Sequence, residues 1–223
     1  MWTSESTFAS TAIDERVALI FRTTIIALFS LNVAFAQQLK YSPEIVTGHR
    51  SITYLHSITY SISDHLRFNN LTLYDTEYET NQHNIFFIRN TMSYQALKSI
   101  SLNAAIGIKN PGSFVTFTAQ YQFARHVFLF SYAAGTTYQS GFTLEQSILL
   151  EYAPMLTNNI KGYFKVQAVA NTNSYEYQRG FQQFRAGLKY KGLAYGLAMN
   201  LDQFKNSTKT LENLGGFLKC NFN

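Results

Sequence analysis

Residues 98–109 read KSISLNAAIGIK, and residues 113–124 read SFVTFTAQYQFA. In each stretch, large apolar residues alternate with small or polar ones. That period of two indicates a β-strand with one apolar face, because the apolar residues of an amphipathic helix recur every 3.6 positions. Between the two stretches, Asn110, Pro111 and Gly112 form a turn signal. The pair therefore predicts a β-hairpin.

The same alternation continues along most of the 223-residue chain. It predicts further strands at residues 52–62, 66–75, 84–95, 127–138, 141–152, 160–171, 180–190, 193–203 and 211–222. Residues 39–46 also alternate, although Pro43 lacks the N–H group that a strand ladder uses. No helical period interrupts this pattern, so the sequence predicts an all-β protein.

Composition and strand length favour a membrane barrel over a soluble one. Charged residues make up only 14% of the chain and aromatic residues 16%, whereas soluble domains average about 25% charged residues. Each strand carries about ten alternating residues, which is the length of a tilted strand that crosses the hydrocarbon layer. A small soluble barrel has too little interior for so many apolar side chains. We therefore expect a closed antiparallel transmembrane β-barrel whose polar row faces inward.

Two further features agree with this architecture. Connections at residues 75–83, 171–179 and 204–210 are long and polar and alternate with shorter ones, as outer loops and periplasmic turns do. Aromatic residues on the apolar face lie near strand ends, as in interfacial girdles: Tyr60, Tyr74, Tyr94, Phe123, Tyr138, Phe142, Tyr152, Tyr190 and Phe222. Because single-chain bacterial barrels have even strand numbers, we predict twelve strands, with ten as the alternative.

The N-terminal part has the features of an export signal. Residues 23–34 (TTIIALFSLNVA) form a short apolar run behind Arg22. Ala34 and Ala36 supply the small residues that signal peptidase reads, which predicts cleavage before Gln37. The apolar run is too short to span a bilayer as a helix, which favours a cleaved signal peptide over a membrane anchor.

This division predicts a signal segment at residues 1–36 and a single barrel domain at residues 37–223. The polar residues 1–15 precede the charged region of the signal, which indicates a start codon assigned too early. The single cysteine, Cys220, excludes an internal disulfide and is expected to be an ordinary small apolar residue.

The last predicted strand carries an apolar row that ends on an aromatic residue: Leu214, Gly216, Leu218, Cys220 and Phe222. In this the chain resembles bacterial outer-membrane β-barrels, although Asn223 follows the aromatic residue. Residues 37–223, rich in Tyr and Asn, are also similar to small uncharacterised outer-membrane proteins of the Bacteroidota. The resemblance implies the outer membrane of a Gram-negative cell as the compartment. It also implies outer-membrane lipid and the outer-membrane assembly machinery as partners, and it implies no activity.

The alternation places six basic and three acidic side chains on the inward row: Arg89, Glu145, Glu151, Lys161, Lys165, Arg185, Lys189, Asp202 and Lys219. In an open lumen this balance favours anionic solutes. In the other interpretation, which we favour, opposite charges pair across the small lumen and close it. Lys161 and Lys165 project on the same side as Glu145 and Glu151 of the preceding strand, so we expect ion pairs among these four.

Enzymatic chemistry has little support in the sequence. His49 and Ser51 have the spacing used by a barrel phospholipase, but no further motif accompanies them. The chain contains no GxSxG, HExxH, Walker or dinucleotide-binding motif, so we predict no cofactor and no metal site. Asp75, Glu77 and Glu79 are expected to form a solvated loop, with a divalent-cation site as the alternative.

We therefore predict a non-enzymatic, porin-like barrel. It is either a narrow channel with a mildly basic lumen or a structural or interaction protein whose outer loops bind a protein partner. An outer-membrane lipid hydrolase and a soluble periplasmic β-protein are the alternatives. The 18 Lys and Arg residues are spread along the chain rather than clustered, so nucleic acid is not expected as a partner.

Overall fold

The computed structural model describes residues 39–110, 112–173, 177–204 and 210–222. The expected signal segment lies outside these residues. Within them the chain forms twelve β-strands. They are β1 Leu39–Gly48, β2 Ser51–Ser61, β3 Leu66–Glu77, β4 Ile85–Leu97, β5 Ile100–Lys109, β6 Gly112–Arg125, β7 Phe128–Tyr138, β8 Phe142–Tyr152, β9 Ile160–Thr172, β10 Tyr177–Tyr190, β11 Leu193–Phe204 and β12 Thr210–Cys220.

The strands follow one another around the wall in chain order, and β1 pairs antiparallel with β12 to close the barrel. The predicted closed antiparallel barrel and its twelve strands are therefore confirmed. Closure leaves no open strand edge, so the backbone polar groups of the wall satisfy one another. No helix among the described residues is long and apolar enough to cross a membrane.

Strand β1 forms in spite of its proline. Its paired positions with β12 run from Gly48 to Glu44, which lies opposite Lys219. They resume at Tyr41 opposite Phe222, so the ladder passes over Pro43. A proline is tolerated here because the paired positions skip Ser42 and Pro43, so the ladder does not need the missing N–H group.

The connections lie at the two ends of the barrel. The end that carries Leu39 and Phe222, called the terminal end below, has connections at residues 62–65, 98–99, 126–127, 153–159 and 191–192. The opposite end, called the loop end, has connections at residues 49–50, 78–84, 110–111, 139–141, 173–176 and 205–209. The expected contrast between short turns and long loops is thus only partial, because residues 153–159 form as long a connection as residues 78–84.

The outward row is apolar, as predicted, and the inward face carries the polar and charged row together with some apolar side chains such as Phe217. Phe117, Ile106 and Leu197 point away from the barrel and are 58%, 63% and 69% exposed. Thr116 and Lys165 point inward and are 2% and 7% exposed. A soluble barrel would enclose the apolar row. This row instead forms a continuous outer surface that lipid stabilises and water does not, so the barrel is a transmembrane one.

Aromatic side chains mark both rims of this surface. Tyr74, Tyr138 and Phe142 are exposed near the loop end, and Tyr94 and Tyr152 are exposed near the terminal end. The rings of Tyr138 and Phe142 contact each other across a hairpin, with their centroids 5.0 Å apart. Amphipathic rings at these two levels match the headgroup regions of a bilayer.

Candidate functional site

A cavity of about 630 Å³ occupies the barrel interior. Its lining extends from His65 and Lys98 near the terminal end to Lys109 and Arg179 near the loop end. Hydroxyl and amide residues are the largest group in this lining, 18 of its 38 described residues. They include Ser57, Thr59, Asn69, Thr91, Ser93, Gln95, Ser101, Asn103, Thr118, Gln120, Gln122, Ser147 and Gln167. The polar row of the strands therefore forms the wall of a lumen.

The charged residues that line the cavity are nearly all basic. Among the described residues, seven of these are Lys or Arg and one is an acid: Arg67, Arg89, Lys98, Lys109, Lys165, Arg179, Lys219 and Glu145. Fixed charge of one sign in a narrow space with low-dielectric walls raises the local concentration of the opposite ion. The cavity therefore attracts anions.

The nine charged residues predicted from the alternation lie in three kinds of place. Four line the cavity: Arg89, Glu145, Lys165 and Lys219. Arg185 and Asp202 are 2% and 3% exposed and are buried against other side chains of the interior. Glu151, Lys161 and Lys189 are half-buried near the terminal end and do not contribute to the cavity lining.

One side of the interior is filled by packed side chains. Arg185 of β10 donates from Nε and Nη2 to Oε1 of Glu44 on β1, at 2.9 and 2.7 Å, and from Nη1 to Oδ1 of Asn200 at 2.9 Å. Next to this pair, an apolar cluster comprises Val46, Tyr163, Ala194, Ala198 and Phe217. We call this region, formed by β9–β12 and β1, the packed side.

The interior faces of β4–β8, called the open side, are lined by hydroxyl and amide groups that border the cavity. One ion pair crosses it, and we call this pair the luminal bridge. Nη2 of Arg89 on β4 donates to both carboxylate oxygens of Glu145 on β8, at 2.7 and 2.9 Å. The Arg89 guanidinium also lies 5.3 Å from the ring centroid of Phe87 and 5.4 Å from that of Phe114. The bridge therefore narrows the lumen at a level between its mid-height and the loop end.

The luminal bridge differs from the pairing expected for Glu145. The sequence predicted a partner among Lys161 and Lys165 on the adjacent strand, whereas the structure pairs Glu145 with Arg89, four strands away around the wall. Lys165 lies directly opposite Glu151 in the β8 and β9 register, but the two do not form an ion pair in the described part of the chain. The alternation predicts which side chains point inward, but it does not predict which strand across the lumen they contact.

A second polar cluster lies at the loop end. Arg50 pairs with Asp75 and Glu77, and Asp75 also accepts hydrogen bonds from Ser51 Oγ at 2.6 Å and Thr53 Oγ1 at 2.8 Å. Burial lowers the pKa of the Arg50 guanidinium, but the hydrogen bonds and charges of Glu77 and Asp75 outweigh it and raise that pKa above its ordinary value. The two carboxylates thus share one arginine as their counter-charge.

Glu79, the third acidic residue of the predicted loop, does not join Asp75 and Glu77 in this cluster. Glu79 is exposed in the connection after β3. Across the described ranges, no group of three or more His, Cys, Asp or Glu side chains is placed to hold a metal ion. Within those ranges, Asp75 and Glu77 therefore belong to an ion-pair network instead.

His49 and Ser51 are not arranged as a base and a nucleophile. Ser51 is fully buried, and its hydroxyl donates to Asp75. His49 Nδ1 instead accepts a hydrogen bond from the backbone N–H of Leu214 at 3.1 Å. A nucleophilic hydroxyl must contact its base and be reachable by substrate, and Ser51 is buried away from lipid and solvent.

Several charged residues of the interior were not among the predicted set. Glu44 was missed because Pro43 obscured β1, and Arg179 because its position was assigned to an outer loop. Lys109 continues the inward row of the strand at residues 98–109, so the alternation alone could have found it. Arg179 pairs with Asp202 through Nε and Nη2, at 3.1 and 2.6 Å.

Comparisons with known proteins report likenesses of fold. No protein-family model and no curated protein matches the chain. Among solved structures, the chain is similar to the NanC porin, with a TM-score of 0.49 and 7% identity over 83% of this chain and 99% of that one. It is similar to LpxR from Salmonella typhimurium, with a TM-score of 0.46 and 6% identity over 81% and 99%. It is also similar to an outer membrane channel from Pseudomonas putida F1, with a TM-score of 0.46 and 9% identity over 82% and 94%.

Proposed function

We propose that this protein is a narrow channel of the bacterial outer membrane that passes small anions in preference to cations. The observation that carries the proposal is the cavity lining, in which seven Lys or Arg residues accompany one carboxylate. The apolar outer surface supports insertion into lipid, and single-chain β-barrels of this kind belong to the bacterial outer membrane. In that setting the terminal end faces the periplasm and the loop end faces the exterior.

The pairing of these charges supports a positive lumen rather than a neutral one. Glu145 neutralises Arg89, and Asp202 neutralises Arg179. The remaining five cations of the lining take part in none of the ion pairs that the described residues form. They are Arg67, Lys98, Lys109, Lys165 and Lys219. Because they are distributed from one end of the cavity to the other, an anion meets favourable charge along the whole path.

The proposal is tested with the purified protein in planar lipid bilayers under a gradient of potassium chloride. We expect discrete conductance steps and a reversal potential of the sign given by chloride permeation. Changing Lys98→Gln and Lys109→Gln together should reduce that anion selectivity, because two of the unpaired cations are removed. Lys191→Gln is the matched control, since Lys191 lies over the ring of Tyr190, 5.3 Å from its centroid, and does not line the cavity.

Two results would contradict the proposal. Cation selectivity would show that the unpaired lysines do not set the ionic environment of the path. Absence of conductance from protein that migrates as a folded, heat-modifiable band would favour the second candidate. That candidate is a closed barrel with a structural or interaction role whose outer loops bind a protein, and it is supported by the luminal bridge between Arg89 and Glu145.

The lipid-hydrolase alternative predicts a different activity. It requires hydrolysis of outer-membrane lipid that is lost when both His49 and Ser51 are changed to alanine. The buried position of Ser51, with its hydroxyl donated to Asp75, argues against this alternative.

A further inference from the structure

Four charged side chains cluster where the packed side meets the cavity. Glu44 of β1 lies directly opposite Lys219 of β12, and Lys165 of β9 lies directly opposite Arg185 of β10. The side chains of Arg185 and Glu44 are 0% and 1% exposed, and Lys165 is 7% exposed. Glu151 of β8 lies opposite Lys165 on its other side, so three cations share this region with two carboxylates.

The Glu44 carboxylate is already engaged by the arginine. Arg185 donates from Nε and Nη2 to Oε1 of Glu44, and among the described residues Oε2 of Glu44 has no hydrogen-bond partner. In the described part of the chain, neither Lys165 nor Lys219 forms an ion pair. A buried ammonium group without a counter-charge is unfavourable, since it has lost water and gained no opposite charge. With three cations and two carboxylates, the cluster therefore has an excess of positive charge.

An unpaired amide donor lies at the same place. Gln183 of β10 is 1% exposed and lines the cavity beside Lys165 and Lys219. Its Oε1 accepts a hydrogen bond from Lys165 Nζ at 3.5 Å. That Nε2 is buried and has no hydrogen-bond partner within the described ranges. Buried amide groups are almost always hydrogen-bonded. An unpaired N–H donor next to two cations without ion-pair partners is therefore a place where an anionic acceptor would bind favourably.

We propose that Lys165, Lys219 and Gln183 form a binding site in the lumen for the carboxylate or phosphate group of a small anionic solute. The inference rests on the proposed function in one respect, namely that the solute reaches the site through the cavity. Two ammonium groups and one amide N–H are complementary to the several oxygens of such a group. The hydroxyl and amide wall of the open side suits a hydroxylated remainder, as in a sugar acid or a sugar phosphate.

Isothermal titration calorimetry on the full protein in detergent micelles tests this site. The probes are gluconate and glucose 6-phosphate, which separate a carboxylate from a phosphate, and glucose serves as the neutral control. We expect saturable binding of at least one anion and none of glucose. Lys165→Gln should weaken that binding by about tenfold or more, because a charged hydrogen bond is lost.

The matched control is Lys109→Gln, which removes the same charge from the loop end of the same cavity and should leave the affinity nearly unchanged. Heat-dependent mobility in electrophoresis reports whether each variant folds. If Lys165→Gln does not fold, Lys219→Gln and Gln183→Glu take its place. Lys219 is only half-buried, and Gln183→Glu keeps the shape while it adds a repelling charge.

The outcome is independent of conductance. Equal weakening by Lys109→Gln and Lys165→Gln, or no weakening by Lys165→Gln and Lys219→Gln, would overturn the site. In that case an anion-selective conductance would leave the proposed function intact. Conversely, site-specific binding by a barrel that conducts nothing would support the site and contradict the channel.

Discussion

The packed side and the open side of the barrel share one kind of outer surface and have opposite interiors. Leu197 on the packed side and Phe117 on the open side are both exposed outward. Inside, Tyr163 and Phe217 fill the packed side, with their ring centroids 5.7 Å apart. The comparison teaches that the outward row determines insertion into lipid, while the inward row alone decides whether the lumen is filled.

Small residues are what allow the two interiors to differ. On the packed side, Ala194 and Ala198 leave room for large rings. Gly196 has a φ of +156°, and a Cβ there would meet the backbone oxygen of Ala186 at 2.3 Å. On the open side, a Cβ at Gly107 would lie 2.5 Å from Cζ of Phe114, a ring of the luminal bridge region.

The largest expected effect belongs to the packed side. Arg185→Ala leaves Glu44 buried without its partner, and we expect the free energy of unfolding to fall by about 3–5 kcal/mol. Urea unfolding of the refolded barrel in lipid vesicles measures this loss. The double variant Arg185→Met with Glu44→Leu should recover most of it, since no unpaired charge remains. A loss below about 1 kcal/mol in the single variant would show that the pair does not stabilise the packed side.

The outer surface should not distinguish the two sides. Phe117→Arg and Leu197→Arg each place a charge against lipid, and each should lower the free energy of unfolding by about 2–4 kcal/mol. The same urea titration measures both. Thr118→Ala, a neighbouring change on the inward row, is the control and should have a much smaller effect. A negligible cost for both arginine variants would contradict a lipid-facing surface.

The luminal bridge should matter for passage more than for stability. Replacing both partners, Arg89→Gln with Glu145→Gln, removes the ion pair without leaving a lone charge, so we expect a change of about 1 kcal/mol or less in stability. Single-channel conductance should increase because the ion pair that narrows the lumen is removed. Arg89→Gln alone serves as the control, since it leaves Glu145 unpaired and should be less stable than the double variant. An unchanged conductance in the double variant would mean that the constriction lies elsewhere.

The smallest expected effect on stability is that of Lys109→Gln. Lys109 has no ion-pair partner among the described residues and lies 5.1 Å from the ring centroid of Phe114. We expect its replacement to change the free energy of unfolding by no more than about 0.5 kcal/mol. Only the reversal potential should shift, toward weaker anion selectivity. A large loss of stability would show that this lysine belongs to the packing of the interior and not to the electrostatics of the path.

The fold could be predicted because alternation is a local signal that every strand repeats. Residues 98–109 already specify an outward apolar row and an inward polar row, and the structure has β5 at Ile100–Lys109. Closure and strand number followed from length and from the rule of even strands. Strand β1 was the weakest prediction, because Pro43 breaks the local signal while its neighbours still pair with β12.

The arrangement of the interior could be predicted only in part. The alternation identified Lys165 and Glu145 as inward, but their contacts depend on which strands face each other across the lumen. Arg89 and Glu145 are 56 positions apart in the chain, and no local pattern links them. The sequence likewise did not predict that Tyr163 and Phe217 fill the packed side. In the sequence, neither residue differs from the other aromatic residues of the strands.

The pairing of β1 with β12, which closes the barrel, affects when the barrel can form during synthesis. It joins Ser42 to Asn221 by a hydrogen bond between residues 179 positions apart. Until the final strand arrives, the nascent sheet has two unsatisfied edges, and such edges recruit other chains. Synthesis must therefore reach β12 before the wall can close, and a product truncated before β12 would keep both edges of its sheet unpaired.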